Sequence, residues 1–537
     1  MALTAKEIVD RVRQLKDERS NWESWWQDIA KFCIPRKAEI TERKAAGTKF
    51  DADNYDSTAR DSLKIFAAGL MGYLTNPATK WLNLRSSNPR LMQSQKVKMF
   101  FEESSNQILQ TFSKSNFYQQ LHEFYLDMPS FGTAAFYSEE DVQDRVRYYA
   151  RNVREILFEE DDRGRVKTIY RVFELTIRQA YDRWGENAGK SVTERYAKKQ
   201  YGTKVEYVQC VGPREKYDPT KRGKLNKPFH SIWVNVPDQK KVDEGGFEEM
   251  PFNVTRFTKV SHEIYGHSAA MDVFPDIKST NKMMYYILRA SAKAVDPPIV
   301  LPHKNYLLPF NFNPSGVNYQ TQKTSSASEE KIQFLDHKGN FAVGRDILID
   351  LREIIRRGFH VDLFLMLTDM KNMTATEVVE RIQEKMLILG PVIGRLQTEL
   401  LQPIVIRTFN ILARNGYIPP IPQELENAEY EVEYVSVLAQ AQKFSAVRTI
   451  QQFIAMIEQM AAIDPTVVDK FDSDKAADVI ADTMGITPKI MREERELQAK
   501  REARAKQEEA AAKIALTKEG AEAAKTGAEA VATAAAA

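Results

Sequence analysis

Two stretches of the sequence hold residue types at nearly the spacing that chemistry requires. Gly185-Glu-Asn-Ala-Gly189-Lys190-Ser191 has the glycines, lysine and serine of a phosphate-binding loop. Such a loop needs four residues between its glycines and a strand before it, so that amides at a helix start cradle the phosphates. Here three residues separate the glycines and the preceding residues read as helix, so a helix-ending turn is expected. His262-Glu263-Ile-Tyr-Gly266-His267 approaches a zinc-binding His-Glu-x-x-His helix. Histidines five apart are rotated about 140° from one another on a helix. With a glycine inside and no third ligand, a turn is expected here too. His122, His230, His303, His337 and His360 are scattered, and no serine sits in a nucleophile elbow. Cys33 and Cys210 offer neither a disulfide framework nor a metal cluster and favour a reducing interior. No catalytic residue, cofactor or metal site is therefore expected, and the chain does not read as an enzyme.

What does emerge is charge arranged on helices. From Ile347 to Arg357 the apolar Ile347, Leu348, Leu351, Ile354 and Ile355 read as one stripe. Arg345, Arg352 and Arg356 lie beside it, Asp346, Asp350 and Glu353 occupy the other flank, and Arg357 breaks the pattern. In a ring whose subunits meet side to side, these flanks would pair between neighbours. A solvated mixed-charge face fits the same residues. On the preceding helix Lys278, Lys282, Arg289 and Lys293 recur on one face, with Tyr285 and Tyr286 between them and no acid interleaved. That face suits a polyanion or a neighbour's acidic flank.

The elements that carry these residues read as follows. A chain of 537 residues with 76 Lys+Arg against 74 Asp+Glu is long enough for two to four domains and too balanced for a tight DNA clamp. The N-terminus opens a helix at a Thr4/Glu7 capping box, without the apolar core of a signal peptide. No run of eighteen apolar residues marks a membrane span. One amphipathic helix is predicted over 4–34, an exposed arm over 36–54, a helix from Ser57 to Leu74 capped by Asp56, and a third from Val97 to Asp127. Strands follow around Ala134–Tyr137, Val166–Phe173, Val205–Val211, His230–Val236 and Asn253–Thr258, with a helix at Ile177–Trp184, so the first half is α+β. Helix returns over 276–297, then a proline-marked β-rich insertion spans Ile299–Phe341. A helix over Val343–Phe359 precedes the polar segment Thr368-Asp369-Met370-Lys371-Asn372-Met373. Beyond it a long helix opens at a Thr374/Glu377 capping box, and Thr376 to Asn415 would span roughly 60 Å at about 1.5 Å per residue. Gly390-Pro391 and Pro403 mark places where it can bend. Phe444–Ala462 and Ser473–Met484 are further helices. From Ile490 to Ala537 there is helix propensity but no core, which suits a solvated helix, an oligomerising helix or disorder.

Several ordered motifs carry a resemblance. They are Tyr55-Asp-Ser-Thr-Ala59, Gly69-Leu-Met-Gly-Tyr-Leu-Thr-Asn-Pro77 to Trp81, Pro275-Asp-Ile-Lys-Ser-Thr-Asn281 and Ala292-Lys-Ala-Val-Asp-Pro-Pro298. Met373-Thr-Ala-Thr-Glu377, Leu389-Gly-Pro391 and Arg395-Leu-Gln-Thr-Glu-Leu400 continue the series. Together they resemble the portal, or head-to-tail connector, proteins of short-tailed bacteriophages related to T7, through about residue 485. The resemblance implies a helix-rich α+β portal fold assembled as a twelve-subunit ring at one capsid vertex of the virion, a channel for double-stranded DNA without sequence specificity. It places a wing at 1–275, a first stem helix at 276–297, a clip at 298–341 and a second stem helix at 342–366. A tunnel loop at 367–373, a long wing helix at 374–422, a crown at 423–489 and an alanine-rich tail at 490–537 follow. It makes Asp369, Met370, Lys371, Asn372 and Met373 the DNA-facing residues. Implied partners are the terminase large subunit at the clip, a tail adaptor, the major capsid and scaffolding proteins, and internal core proteins at the crown, with no membrane. The competing reading is a tail adaptor or capsid scaffold component that never meets DNA.

Overall fold

The computed structural model describes residues 3–43, 45, 47–49, 53–221, 223–295, 299–300, 333–334, 341–365, 388–425, 430–435, 437–461, 471–484 and 496–509. Helix α1, Ala5–Glu18, opens on the expected capping box: Thr4 Oγ1 accepts from Glu7 N, and Glu7 accepts from Thr4 N at 2.8 Å. The single helix expected over 4–34 is instead interrupted at Arg19, and α2 runs Ser20–Cys33. Arg19 is 2% exposed and donates to the carbonyls of Val153, Arg154 and Ile156 at 3.0, 3.1 and 2.7 Å. A guanidinium drawn inside must satisfy its donors, and that requirement overrides helical continuity. After α3, Thr58–Leu74, and strand β1, Leu82–Ser86, the helix expected over Val97–Asp127 proves to be two, α4 Gln95–Lys114 and α5 Phe117–Phe131. The break falls at Asn116, whose amide donates to Tyr148 O at 2.8 Å and accepts from Tyr148 N at 3.0 Å. A side chain that pairs with a strand backbone competes with the helix that contains it.

Tyr148 lies in β3, Arg145–Arg151, which follows β2, Thr133–Asp141. Then come β4 Ile156–Glu160, β5 Val166–Thr176, α6 Ile177–Trp184, α7 Lys190–Ala197, β6 Lys204–Pro213, β7 Phe229–Asn235, β8 Lys240–Phe247 and β9 Phe252–Arg256. One antiparallel sheet has the order β3-β2-β9 and another β4-β5-β6-β7-β8. In the larger sheet Val172 pairs with Val208 and Val208 with Val234, so these share a face. That face is closed by Ile8, Val9, Val12 and Leu15 of α1. The alternate residues Phe173, Val205 and Tyr207 face the other way, onto Ile177 and Ala180 of α6 and Val192 of α7. Period-two alternation thus gives a helix–sheet–helix stack. Strand β8 was not foreseen, because Lys240-Lys-Val-Asp-Glu lacks an apolar run; it forms as a polar edge that ends the sheet.

Helix α8, Ala269–Asp272, leads into α9, Phe274–Val295. The two-residue strands β10, Ile299–Val300, and β11, Gln333–Phe334, pair antiparallel, and most of the rest of 298–341 lies outside the described residues. Next are α10 Phe341–Gly358, α11 Val361–Leu365 and α12 over 388–396. The segment 366–387, with the expected DNA-facing loop and the start of the long helix, also lies outside. Beyond α12 the helix widens into a π turn, Gln397–Leu401, before α13, Gln402–Arg414. Pro403 supplies no N–H and crowds the carbonyl of residue 399, and a widened turn relieves both. Strand β12, Tyr430–Tyr434, and helices α14 Val437–Ala461 and α15 Ser473–Met484 close the order. The expected helix-rich α+β class is the one observed. Contacts divide the chain into two compact units, Met1–Trp81 with Ile108–Asn415, and Leu82–Gln107 with Gly416–Ala537. In the second unit β1 pairs with β12, Leu84 N donates to Ser105 Oγ at 2.8 Å, and Arg501 holds Asp474 with two bonds at 2.6 and 2.7 Å.

Candidate functional site

Helices α9 and α10 pack against each other. On α10, Leu348 and Ile355 are 6% and 1% exposed, whereas Ile347 and Ile354 are 43% and 44% exposed. The single apolar stripe expected there is therefore two. At 100° per residue, positions 347 and 354 lie roughly a quarter to a third of a turn from 348, too far round to share its contact. Leu288 and Tyr286 on α9 are 46% and 51% exposed. The pair thus buries Leu348 and Ile355 and leaves apolar side chains exposed on more than one face of each helix, since Tyr286 and Leu288 lie about 200° apart.

One junction fixes the base of the pair. Ser57, not the expected Asp56, occupies the cap position of α3, and its side chain makes no capping bond; Asp56, one residue further out, accepts from Thr58 N through Oδ1 at 2.9 Å. Its Oδ2 accepts from Arg352 Nε at 2.9 Å and Nη2 at 2.7 Å. Asn281 Oδ1 on α9 accepts from Tyr55 N at 2.7 Å and Asp56 N at 3.2 Å, and Asn281 Nδ2 donates to Asp53 O at 3.0 Å. Burial by itself would raise the Asp56 carboxyl; bonds from Thr58 and Arg352 outweigh it and hold the group below its usual range. Arg352, expected on a flank that meets a neighbouring subunit, is thus committed to Asp56 of its own chain. Sequence reading missed this because an aspartate and a helix face nearly three hundred residues apart give no local signal.

The other charged positions sort as follows. Lys278 pairs with Asp28 at 2.8 Å and lies 4.5 Å from the Phe274 ring centroid. Lys282 lies 6.0 Å from the Tyr286 ring, and Arg289 and Lys293 are exposed. Glu353 accepts from Arg357 at 3.3 Å, one turn away. Arg345, Arg356, Asp346 and Asp350 are exposed and have no ion-pair partner among the described residues. Asp369, Met370, Lys371, Asn372 and Met373 lie outside the described residues.

Comparison with known proteins extends these local features to the whole chain. Residues 5–491 match the family profile described as bacteriophage head to tail connecting protein. The chain belongs to that family. A probable portal protein of Bordetella phage BPP-1 is 33% identical over 96% of this connector-family chain and 94% of its own length. The portal protein of Salmonella phage epsilon15 is 32% identical over 98% of this chain and 96% of its own.

Within the connector-family fold the two catalytic look-alikes have structural explanations. Ser191, at the start of α7, donates from N and Oγ to Asp238 Oδ2 at 3.0 and 2.8 Å. A carboxylate thus sits where a phosphate would have to bind, and a helix, α6, precedes the turn. His267 Nε2 donates to Glu263 Oε2 at 2.5 Å and its ring lies 5.1 Å from Trp22. Gly266 is demanded by packing: a β-carbon there would collide with the carbonyl of Gly132. Among the described residues no cluster of His, Cys, Asp and Glu is placed to hold a metal, and no helix is long and apolar enough to cross a membrane.

The long helix is pinned by buried ion pairs. Glu399, inside the π turn, accepts from Arg256 N at 3.0 Å and Arg256 Nη2 at 2.7 Å. Arg256 is 3% exposed and also holds Glu160, which accepts from Lys259 at 2.6 Å. Further along, Arg407 is 2% exposed and donates to Ser138 Oγ at 2.9 Å and Glu249 O at 2.9 Å. Both arginines keep these acceptors only while the π turn and α13 stay seated on the sheets.

Proposed function

We propose that the chain is a portal subunit. Copies close into a ring at one vertex of a phage capsid, and double-stranded DNA enters and leaves through the central channel. The observation that carries this is the match of nearly the full chain to two portal proteins together with the family profile over 5–491. The exposed Ile347 and Ile354 of α10 support ring closure, because a neighbouring copy would cover them.

In this reading α9 and α10 are the two stem helices, 298–341 is the clip that meets the packaging terminase and later the tail adaptor, and 367–373 carries the DNA-facing loop. The sheets of the first unit form the wing, and 423–489 the crown toward the capsid interior and its core proteins. A twelve-copy ring is the expected closure. The balanced charge of 76 Lys+Arg against 74 Asp+Glu suits a conduit, since tight phosphate binding would trap the moving cargo. Lys282, Arg289 and Lys293 are the stem cations available to weak, sequence-independent phosphate contacts. Arg345, Arg356, Asp346 and Asp350 remain the flank charges available to neighbours, with Arg352 removed from that set. Class-averaged particle images of the purified protein test the reading: rings with a duplex-wide hole support it, and monomers or solid oligomers sink it.

A further inference from the structure

Strands β6 and β7 are joined by residues 214–228, far more than a tight hairpin requires. Connections this long in a compact fold are most often functional or unstructured. This one carries Arg214, Lys216, Lys221, Arg222, Lys224 and Lys227 against Glu215 and Asp218. Of these, Arg214, Lys221 and Lys227 are already paired with Glu244, Asp218 and Glu248 at 2.9, 3.2 and 3.8 Å, so the attraction for an acidic partner rests on the remaining lysines.

The loop is built, with a clamped neck. Arg214 donates from Nη1 to Glu244 Oε1 at 2.9 Å and from Nη2 to Gly245 O at 3.0 Å, while Arg214 N donates to Pro228 O at 2.7 Å. The returning limb lies so close to β8 that a β-carbon on Gly246 would sit 2.5 Å from Lys224 O and 2.8 Å from Phe229 O. At the far end Asp218 Oδ1 accepts from Thr220 N and Oγ1 at 3.1 and 2.6 Å, and a short helical turn covers Lys224–Asn226. Yet the loop leaves Tyr217 46% and Leu225 54% exposed. Lys216 and Lys224 stand beside them, exposed and without an ion-pair partner among the described residues. Apolar side chains bordered by charge have the composition of a docking patch, with a centre to desolvate and a rim to steer.

We propose that the loop 214–228 docks an acidic protein segment bearing an apolar side chain, contributed by another protein of the phage particle. The assignment rests on the portal reading. Nucleic acid fits less well, because the guanidinium fork of Arg214 is spent on Glu244 and Gly245, and exposed Leu225 gains nothing from a phosphate backbone. Each contact is weak singly and is multiplied by the copies in a ring.

The test uses full-length chain carrying K216E/K224E or Y217A/L225A, purified for imaging and, in parallel, supplied to cells assembling phage heads. Both variants are expected to form normal rings, and both to enter heads about tenfold less often than the wild type. Carbodiimide treatment of wild-type heads is expected to join Lys216 or Lys224 to an Asp or Glu of a different head protein. Unchanged incorporation of both variants overturns the proposal, as do cross-links that fall only on a second copy of this chain. Normal incorporation with weakened retention of a short DNA duplex by K216E/K224E rings overturns it in favour of nucleic acid. Failure of the wild-type chain to form rings overturns the portal reading itself, a result separate from these.

Discussion

Both Nε and Nη2 of Arg352 converge on one oxygen of Asp56, so the face of α10 that points sideways from the helix pair is tied to the N-terminus of α3. The other oxygen of the same aspartate accepts from Thr58 N at the start of α3, and its backbone N–H donates to Asn281 of α9. Three helices thus meet at one residue, two of them through its carboxylate. Asp56→Ala is expected to cost ~1–3 kcal/mol, less than a fully buried pair because the Arg352 side chain is 33% exposed. Chemical denaturation would show it, and the charge-swapped pair Asp56→Arg with Arg352→Asp should recover part of the loss. The pH sign follows from the lowered carboxyl. Its contribution is present above the unfolded value of 3.8 and is lost as pH falls through the lower folded value. Wild type should therefore lose more stability than Asp56→Asn on acidification below about pH 4.

The π turn is expected to depend on Glu399. Glu399→Ala removes the acceptor of the Arg256 backbone N–H and leaves Nη2 of the buried Arg256 only Gly164 O at 3.4 Å, at a cost of ~2–4 kcal/mol. Amide hydrogen exchange should accelerate over 388–414 more than over α1. Uniform acceleration, or none, would argue that the turn is set by Pro403 alone.

Gly358 ends α10 where a β-carbon would collide with Val273. Gly358→Ala is expected to destabilise the chain by ~1–3 kcal/mol through overpacking. Adding Val273→Ala should restore part of that in thermal melts, and failure to do so would place the strain elsewhere.

Deleting Asp369 to Asn372 is expected to leave ring assembly intact and to lower the DNA retained in filled heads. Heads with unchanged DNA content would remove this segment from any valve role.

Periodic segments were legible in sequence to the residue, as in Ile177–Trp184 and Ser473–Met484, because amphipathic spacing and caps are local signals. The helix breaks at Arg19 and Asn116 were not, since both arise from side chains that bind backbone far along the chain. The same limit hid the commitment of Arg352: its position on a charged flank was readable, and its partner at Asp56 was not. Glycine in the look-alike motifs was read as a turn signal, while the structure assigns Gly266 to a backbone contact with Gly132. Sequence pattern therefore located α9 and α10. Which charges are left for a neighbour or for DNA had to come from three-dimensional contacts.

The central claim, that copies of this chain enclose a DNA channel, is tested most directly by class-averaged electron images of the purified full-length protein. The account predicts closed rings with a central opening wide enough for a DNA duplex. Monomers, or oligomers with no such opening, would contradict it.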